Sequence, residues 1–217
     1  VTIGFAPTVI AEQLISMEWP QDAKLRVLLT GADTLHRRPQ ANLPFVLVNN
    51  YGPTEYTVVA TSGVVTNSGA GRPSIGRAVR NTRIFLAHAE LNAVADGEDG
   101  EICIAGAGLA RGYRGSAEMT KTRFFAQSMN GVDERMYRTG DLGRVLPDGE
   151  IEFCGRADDQ VKIRGYRVEL GDVTTALLNC AGVAQGVTVS RELPTGGRQL
   201  VSYVAALPGA RLTDAAL

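Results

Sequence analysis

Residues 137–171 read YRTGDLGRVLPDGEIEFCGRADDQVKIRGYRVELG, a stretch in which Gly, Asp and Arg crowd between short apolar runs. Thr139-Gly140-Asp141 sets a carboxylate beside a glycine. Leu142–Leu146 is strand-like and enters Pro147-Asp148-Gly149. There Pro presets φ, Asp bonds its own backbone and Gly accepts a positive φ, so a hairpin turn is expected. Glu150-Ile151-Glu152-Phe153 alternates polar and apolar and reads as the return strand. Gly155-Arg156-Ala157-Asp158-Asp159 leaves the hairpin as a polar joint. Val161-Lys162-Ile163-Arg164 then alternates again, which places Lys162 and Arg164 on the face opposite Val161 and Ile163.

Upstream, Val1–Phe5 reads as a strand, and Pro7-Thr8 opens an amphipathic helix to about Met17, closed by Trp19-Pro20 with the indole as an aromatic plug. Leu25–Thr30 and Phe45–Asn49 are largely apolar, the mark of parallel strands covered on both faces. Each spills into a Gly-containing loop, Gly31-Ala32-Asp33 and Asn50-Tyr51-Gly52-Pro53-Thr54-Glu55. The expected fold class is α/β, with ligands in the crevice beyond the strands' carboxyl ends. Residues 62–80, rich in Gly, Ser and Asn, read as a surface loop. Arg83–Ala87 and Glu101–Ala105 read as strands of a smaller sheet. Gly106–Arg111 lacks the third glycine of a dinucleotide loop and no helix clearly follows it, so that reading is rejected. Ala117–Phe125 reads as helix. Further on, Asp172 is an expected N-cap for a helix over Val173–Asn179, ended by Gly182. Val183–Ser190 and Gln199–Ala206 are strands about a turn at Pro194–Arg198.

The 217 residues allow one or two domains, with 44% hydrophobic and 21% charged residues, as in ordinary globular chains. A net charge of −1 gives no global field for nucleic acid or acidic membrane, so neither is an expected partner. No apolar run approaches the roughly 20 residues that span a bilayer, and VTIGFAPTVI lacks the marks of a signal peptide. Cys103, Cys154 and Cys180 show no CxxC spacing and are expected as reduced, buried thiols of a cytoplasmic protein. His36 and His88 have no nucleophile beside them and read as surface residues.

Tyr137–Asp141, Gly155–Gly171, Asn49–Glu55 and GEICIAGAGLARGY at residues 100–113 together resemble the adenylate-forming (AMP-binding) ligases, specifically the amino-acid adenylation domains of nonribosomal peptide synthetases. The resemblance implies a partial adenylate-forming fold. Residues 1–157 would be the C-terminal part of the large subdomain, and 158–217 an incomplete small C-terminal subdomain with a hinge near Asp158. It also implies two half-reactions: an amino-acid carboxylate attacks the α-phosphorus of ATP, and the acyl group then passes to the phosphopantetheine thiol of a carrier-protein domain. Such chemistry is helped by positioning and charge neutralisation, because the nucleophile belongs to the substrate.

By the same resemblance, Tyr51 lies against adenine, Thr54 near the α-phosphate, and Glu55 holds Mg²⁺. Asp141 takes the ribose hydroxyls, Arg156 reaches ribose or phosphate oxygens, and Asn49, Gly52 and Phe153 complete the nucleotide contacts. Lys162 and the Arg164-Gly165 loop would approach only in the thioester-forming arrangement. A solvated strand face is the plain alternative for Lys162 and Arg164. The 100–113 segment is expected to be mainly structural. The amino-acid pocket maps onto Phe5 (or Gly4, one residue earlier in the alignment), Leu29, Gly31, Asn50, Val58 and Val59. This lining is apolar, with room at Gly31 and one amide, and it suits a leucine-like side chain. Ala32 stands where a second glycine is usual and would tighten the pocket wall.

The phosphate loop with its lysine, the ammonium-binding aspartate and a C-terminal catalytic lysine have no match in this chain. It is therefore expected to be an internal fragment that is inactive alone. An acyl-CoA or aryl-acid ligase, and a non-catalytic binding module, are the competing readings.

Overall fold

The computed structural model describes the chain except residues 21, 96, 130–131, 159, 164–165, 193–197 and 213–217, and the side chains of 129, 132 and 162. Two compact units divide it, Val1–Ala157 and Asp158–Leu217.

The first unit begins with a five-stranded sheet in the order β1 (Ile3–Pro7), β2 (Val27–Gly31), β3 (Val46–Tyr51), β4 (Thr61–Val65) and β5 (Arg77–Ala78). The first three strands are parallel, and β4 returns antiparallel to β3. β4 and β5 both form inside the stretch expected to be loop: Thr61, Val64 and Val65 add ladder partners to β3 despite their Gly- and Ser-rich surroundings. Helix α1 (Thr8–Leu14) is shorter than its apolar pattern suggested. The Trp19 indole N–H, 2.8 Å from the Leu14 carbonyl, satisfies an orphan acceptor at the helix end, and its ring packs edge-on against Phe45.

α1 covers one face of the sheet, where Ala6, Ala11, Ile15, Leu28, Leu35, Phe45, Leu47 and Val65 form a core. The apolar strands were expected to be covered on both faces; within this chain the opposite face is open. Ile3, Phe5, Val46 and Val64 are exposed there, in register rows with half-buried Val27, Leu29 and Val48.

The second sheet runs β10 (Ile151–Arg156), β9 (Val132–Val145), β7 (Gly100–Gly106), β6 (Thr82–Ala87), with β8 (Phe124–Met129) also paired to β9. β7 is its spine and is buried on both faces. Ile102 and Ile104 pack towards Tyr51, Tyr56, Ile75 and Ile151, which fastens this sheet to the first. Cys103 and Ala105 pack with Phe85 and Met136 on the other side. Helix α2 (Ala117–Arg123) stops at Phe124, which already begins β8. β9 starts well before Leu142, so Tyr137–Asp141 lies inside a long strand.

The expected hairpin turn is present, but the polar joint after it is shorter than expected: Gly155 and Arg156 still belong to β10, and Ala157 and Asp158 follow as bends where the two units divide. A register shift between Phe153 and Gly155 keeps β10 paired through Arg156, which ends opposite Asp141. One extra residue in a strand re-aims those that follow it.

In the second unit β11 (Gln160–Ile163) pairs antiparallel with β12 (Tyr166–Glu169), which the sequence did not suggest. Helix α3 (Leu170–Leu178) begins two residues before Asp172. Asp172 is therefore an acid in the first turn rather than the N-cap, where its charge still suits the helix dipole. α3 packs on β13 (Val183–Glu192), which pairs with β14 (Arg198–Ala206). The expected Pro194–Arg198 turn falls outside the described residues apart from Arg198, which opens β14.

Of the three thiols Cys103 alone is fully buried, pushed up to about 12 by desolvation; Cys154 and Cys180 are half-buried, contrary to expectation. His36 and His88 are exposed. Among the described residues no helix is long and apolar enough to cross a membrane, which leaves β-barrels unaddressed.

Where the two sheets meet, Gly76 adopts φ +77°, and a Cβ there would stand 2.1 Å from the Ser62 carbonyl carbon. A methyl group at this point forces two backbones apart. Gly76→Ala is expected to cost about 3 kcal/mol or more, read as a fall in the urea midpoint of the domain.

Candidate active site

The carboxyl end of β3 and the middle of β9 converge on one carboxylate. Asp141, 4% exposed, receives the Tyr51 hydroxyl on Oδ2 at 2.7 Å and the Arg156 guanidinium on Oδ1. Arg156 also donates to the Thr139 carbonyl at 3.1 Å. A buried carboxylate is tolerable only when paired and hydrogen-bonded, and here carboxylate and donors come from three separate strands. Burial, followed by the charge of Asp141, pushes the Tyr51 phenol well above its ordinary value, so it remains a donor. Phe153 packs near Tyr51, with ring centroids 6.3 Å apart. Tyr51, Asp141, Phe153 and Arg156, all proposed from sequence as nucleotide contacts, are therefore brought together.

Behind them lies a support the sequence reading missed. Glu101 of β7 is 7% exposed; its Oε1 accepts the Gly140 N–H at 3.0 Å, and its Oε2 pairs with Arg138. The Thr139 hydroxyl donates to the Ile102 carbonyl at 2.8 Å and accepts the Asp141 N–H at 2.9 Å. The β9 backbone is thus pinned over the residues that lead into Asp141. A carboxylate in the otherwise apolar run Gly100–Gly106 was the available signal.

Strand alternation sorts the remaining candidates. Asn49 and Tyr51 lie on the covered face of β3, and the Asn49 amide donates to the Ser74 carbonyl at 2.8 Å. Asn50 lies on the open face. Phe5 and Leu29, register partners, share that face, whereas Gly4 pairs with Leu28 on the covered side. A Cβ on Gly31 would stand 2.6 Å from the Asn50 carbonyl oxygen, so glycine there permits two strand ends to close on each other. Gly52 admits a similar approach by the backbone of Val58 and Ala60.

Thr54–Tyr56 form a single 3₁₀ turn, with Thr54 exposed and Glu55 buried. Thr57 and Val58 follow at φ +53° and +76°, an uncommon pair of left-handed residues and a real outlier for branched valine. Val58 is exposed and Val59 half-buried. In the second unit, the Asp158 carboxylate accepts the Gln160 N–H at 3.3 Å. Lys162 lies in β11 with its side chain outside the described residues, as are Arg164 and Gly165.

Ala32, just past the end of β2, has φ +77° and an exposed side chain. Its peculiarity is backbone strain of about 1 kcal/mol that glycine would relieve, and Ala32→Gly is expected to raise the melting temperature. Glu101→Ala strands the Arg138 charge and the Gly140 N–H; a loss of about 2–4 kcal/mol is expected, measured by chemical denaturation.

Comparison with known proteins agrees with this arrangement. The profile of the AMP-binding enzyme family matches residues 1–114. A linear gramicidin synthase polypeptide of Brevibacillus parabrevis is 51% identical over 208 residues, covering 94% of this chain and 3% of that protein. Surfactin synthase subunit 2 of Bacillus subtilis is 44% identical over 204 residues, covering 94% and 6%. The structure of PA1221, an NRPS protein containing adenylation and PCP domains, superposes with TM-score 0.81 at 30% identity over 97% of this chain and 44% of its own. This chain thus spans a small part of the curated relatives and under half of that solved one. It belongs to the AMP-binding enzyme family, within the branch of nonribosomal peptide synthetase adenylation domains.

Proposed function

We propose that the protein containing this chain activates an amino acid with ATP to an aminoacyl-adenylate and passes it to the phosphopantetheine thiol of a carrier-protein domain. The observation that carries this reading is the Tyr51–Asp141–Arg156 cluster, with Phe153 beside it. An aromatic pair beside a carboxylate held by a guanidinium is a donor and acceptor set that suits a nucleoside: rings for the base, Asp141 for vicinal hydroxyls, Arg156 for ribose or phosphate oxygens.

The residues fit Mg²⁺ in one way only. Among the described residues no three His, Cys, Asp or Glu side chains form a metal cage. Mg²⁺ commonly needs no such cage, because one or two carboxylates and the substrate's phosphates suffice. Glu55 is the carboxylate proposed to hold it, with Thr54 near the α-phosphate and Asn49 and Gly52 shaping the loop. The bound ion would offset phosphate charge.

On this reading the open sheet face beside Asn50 is the amino-acid side. Phe5, Leu29 and Gly31 flank it, Val58 and Val59 close the pocket from the strained turn, and a leucine-like side chain is the proposed substrate. Asp158 is the proposed hinge between the large and small subdomains, with Lys162 serving the thioester step. Residues beyond this chain are proposed to supply the phosphate loop and the ammonium contact, so 1–217 alone is expected to be inactive.

The test is amino-acid-dependent ATP–pyrophosphate exchange by the whole adenylation domain. Exchange should be led by leucine, with valine, one methylene smaller, trailing by roughly 10- to 200-fold and the isomer isoleucine also behind, and Asp141→Ala should abolish it. Exchange led by another amino acid overturns the pocket reading alone. Exchange with aryl or fatty acids only moves the assignment to another ligase of the superfamily, and no exchange from folded protein supports a binding module.

A further inference from the structure

The GLARGY run at residues 108–113 has no task in the reading above beyond structure, yet it wraps closely around Glu55. The Ala110 N–H donates to the Glu55 carbonyl at 2.8 Å, and the Thr57 hydroxyl donates to the Gly108 carbonyl at 2.8 Å. The Tyr113 hydroxyl then donates to the Glu55 carboxylate itself, 2.6 Å from Oε1. A phenol on a carboxylate at that distance is a charge-assisted bond, short and directional.

Tyr113 is in turn held at every level. Gly112 has φ +145°, and a Cβ there would stand 2.5 Å from the Thr120 methyl, so only glycine lets the chain turn in against α2. The Tyr113 N–H donates to the Thr120 hydroxyl at 2.9 Å. Its ring stands edge-on to Phe124 at 5.7 Å, and Phe124 packs on Tyr137 at 5.0 Å, under the Arg135 guanidinium at 4.6 Å. The Tyr137 hydroxyl lies 3.3 Å from that of Tyr113, and Tyr137 is fully buried.

We propose that Tyr113 is a positioning residue for Glu55: anchored by Thr120 and Phe124, it holds one carboxylate oxygen so that Glu55 is presented in a single orientation to a divalent cation on the bound nucleotide. This rests on Glu55 being the cation's carboxylate in the proposed adenylation reaction. A tie that only braced the loop could use any contact. Here the donor meets the carboxylate, the one anionic side chain on the 3₁₀ turn and the kind of group that hard cations take as ligand, and the Glu55 backbone is already tied separately through Ala110.

The test uses the whole adenylation domain as wild type, Tyr113→Phe and Glu55→Gln. Binding of a fluorescent ATP analogue is measured with Mg²⁺ titrated and in EDTA, alongside melting temperature and exchange rate. Loss of an orienting partner typically costs roughly 10- to 100-fold in metal affinity. Tyr113→Phe is therefore expected to raise the Mg²⁺ concentration needed by at least about tenfold, with binding in EDTA unchanged and exchange restored by excess Mg²⁺. An unchanged Mg²⁺ titration with a lowered melting temperature overturns the proposal, as does equal weakening with and without Mg²⁺. If wild type binds with Mg²⁺ dependence that Glu55→Gln removes and Tyr113→Phe does not, only the Tyr113 inference falls. If wild type binds no ATP analogue, or Glu55→Gln leaves the titration unaltered, the reading of Glu55 fails first.

Discussion

A carboxylate taken out of water on β9 governs the first unit. Asp141 is offset by Tyr51, ninety residues earlier, and by Arg156 across the hairpin. Removing either donor leaves a buried charge short of a partner, which is far more costly than losing an exposed contact. The second sheet is built to keep that carboxylate in place. Glu101 holds the Gly140 N–H, the Thr139 hydroxyl joins β9 to β7, and the register shift before Gly155 turns Arg156 inward. The apolar contacts of Ile102 and Ile104 with Tyr51 and Tyr56 place the two sheets close enough for the three groups to meet.

The same strand, β3, separates two kinds of surface. Its covered face carries Tyr51 towards Asp141, while Asn50 looks the other way, beside Leu29 and Phe5. Period-two alternation is sufficient to place a polar cluster on one side of a single strand and an apolar rim on the other. Past Tyr51, the chain turns through Thr54–Tyr56 and two left-handed residues. That strain persists because Val58 and Ala60 close backbone hydrogen bonds onto Pro53 and Tyr51.

Among the described residues the site holds no serine, cysteine or histidine in a nucleophilic pairing: Cys103 is sealed in the core, and both histidines are exposed. On the proposed reading the site works by placement and charge compensation around a reacting substrate. Tyr113 and Glu101 extend that logic outward, each fixing a group that would otherwise have several orientations.

The amino-acid sequence by itself determined many of the element types and named the candidate residues that the two sheets bring together around Asp141. Apolar runs marked β2, β3 and β7, the Pro147-Asp148-Gly149 turn marked its hairpin, and the motifs around Tyr51, Asp141 and Arg156 named a family. These signals are local, because turn chemistry and strand period act over a few residues. Tertiary structure alone decided what the motifs touch. β4 formed inside a Gly- and Ser-rich stretch because β3 offered an edge, β10 ran on through Arg156 because a bulge turned its end towards Asp141, and Asp172 entered the helix because Leu170 could start it sooner. Glu101 showed only a carboxylate in an otherwise apolar run and Tyr113 no site signal of its own, since the role of each emerges when a partner 39 or 58 positions away is folded against it. Burial and long-range hydrogen bonds are properties of the assembled sheets, and no window of sequence contains both partners.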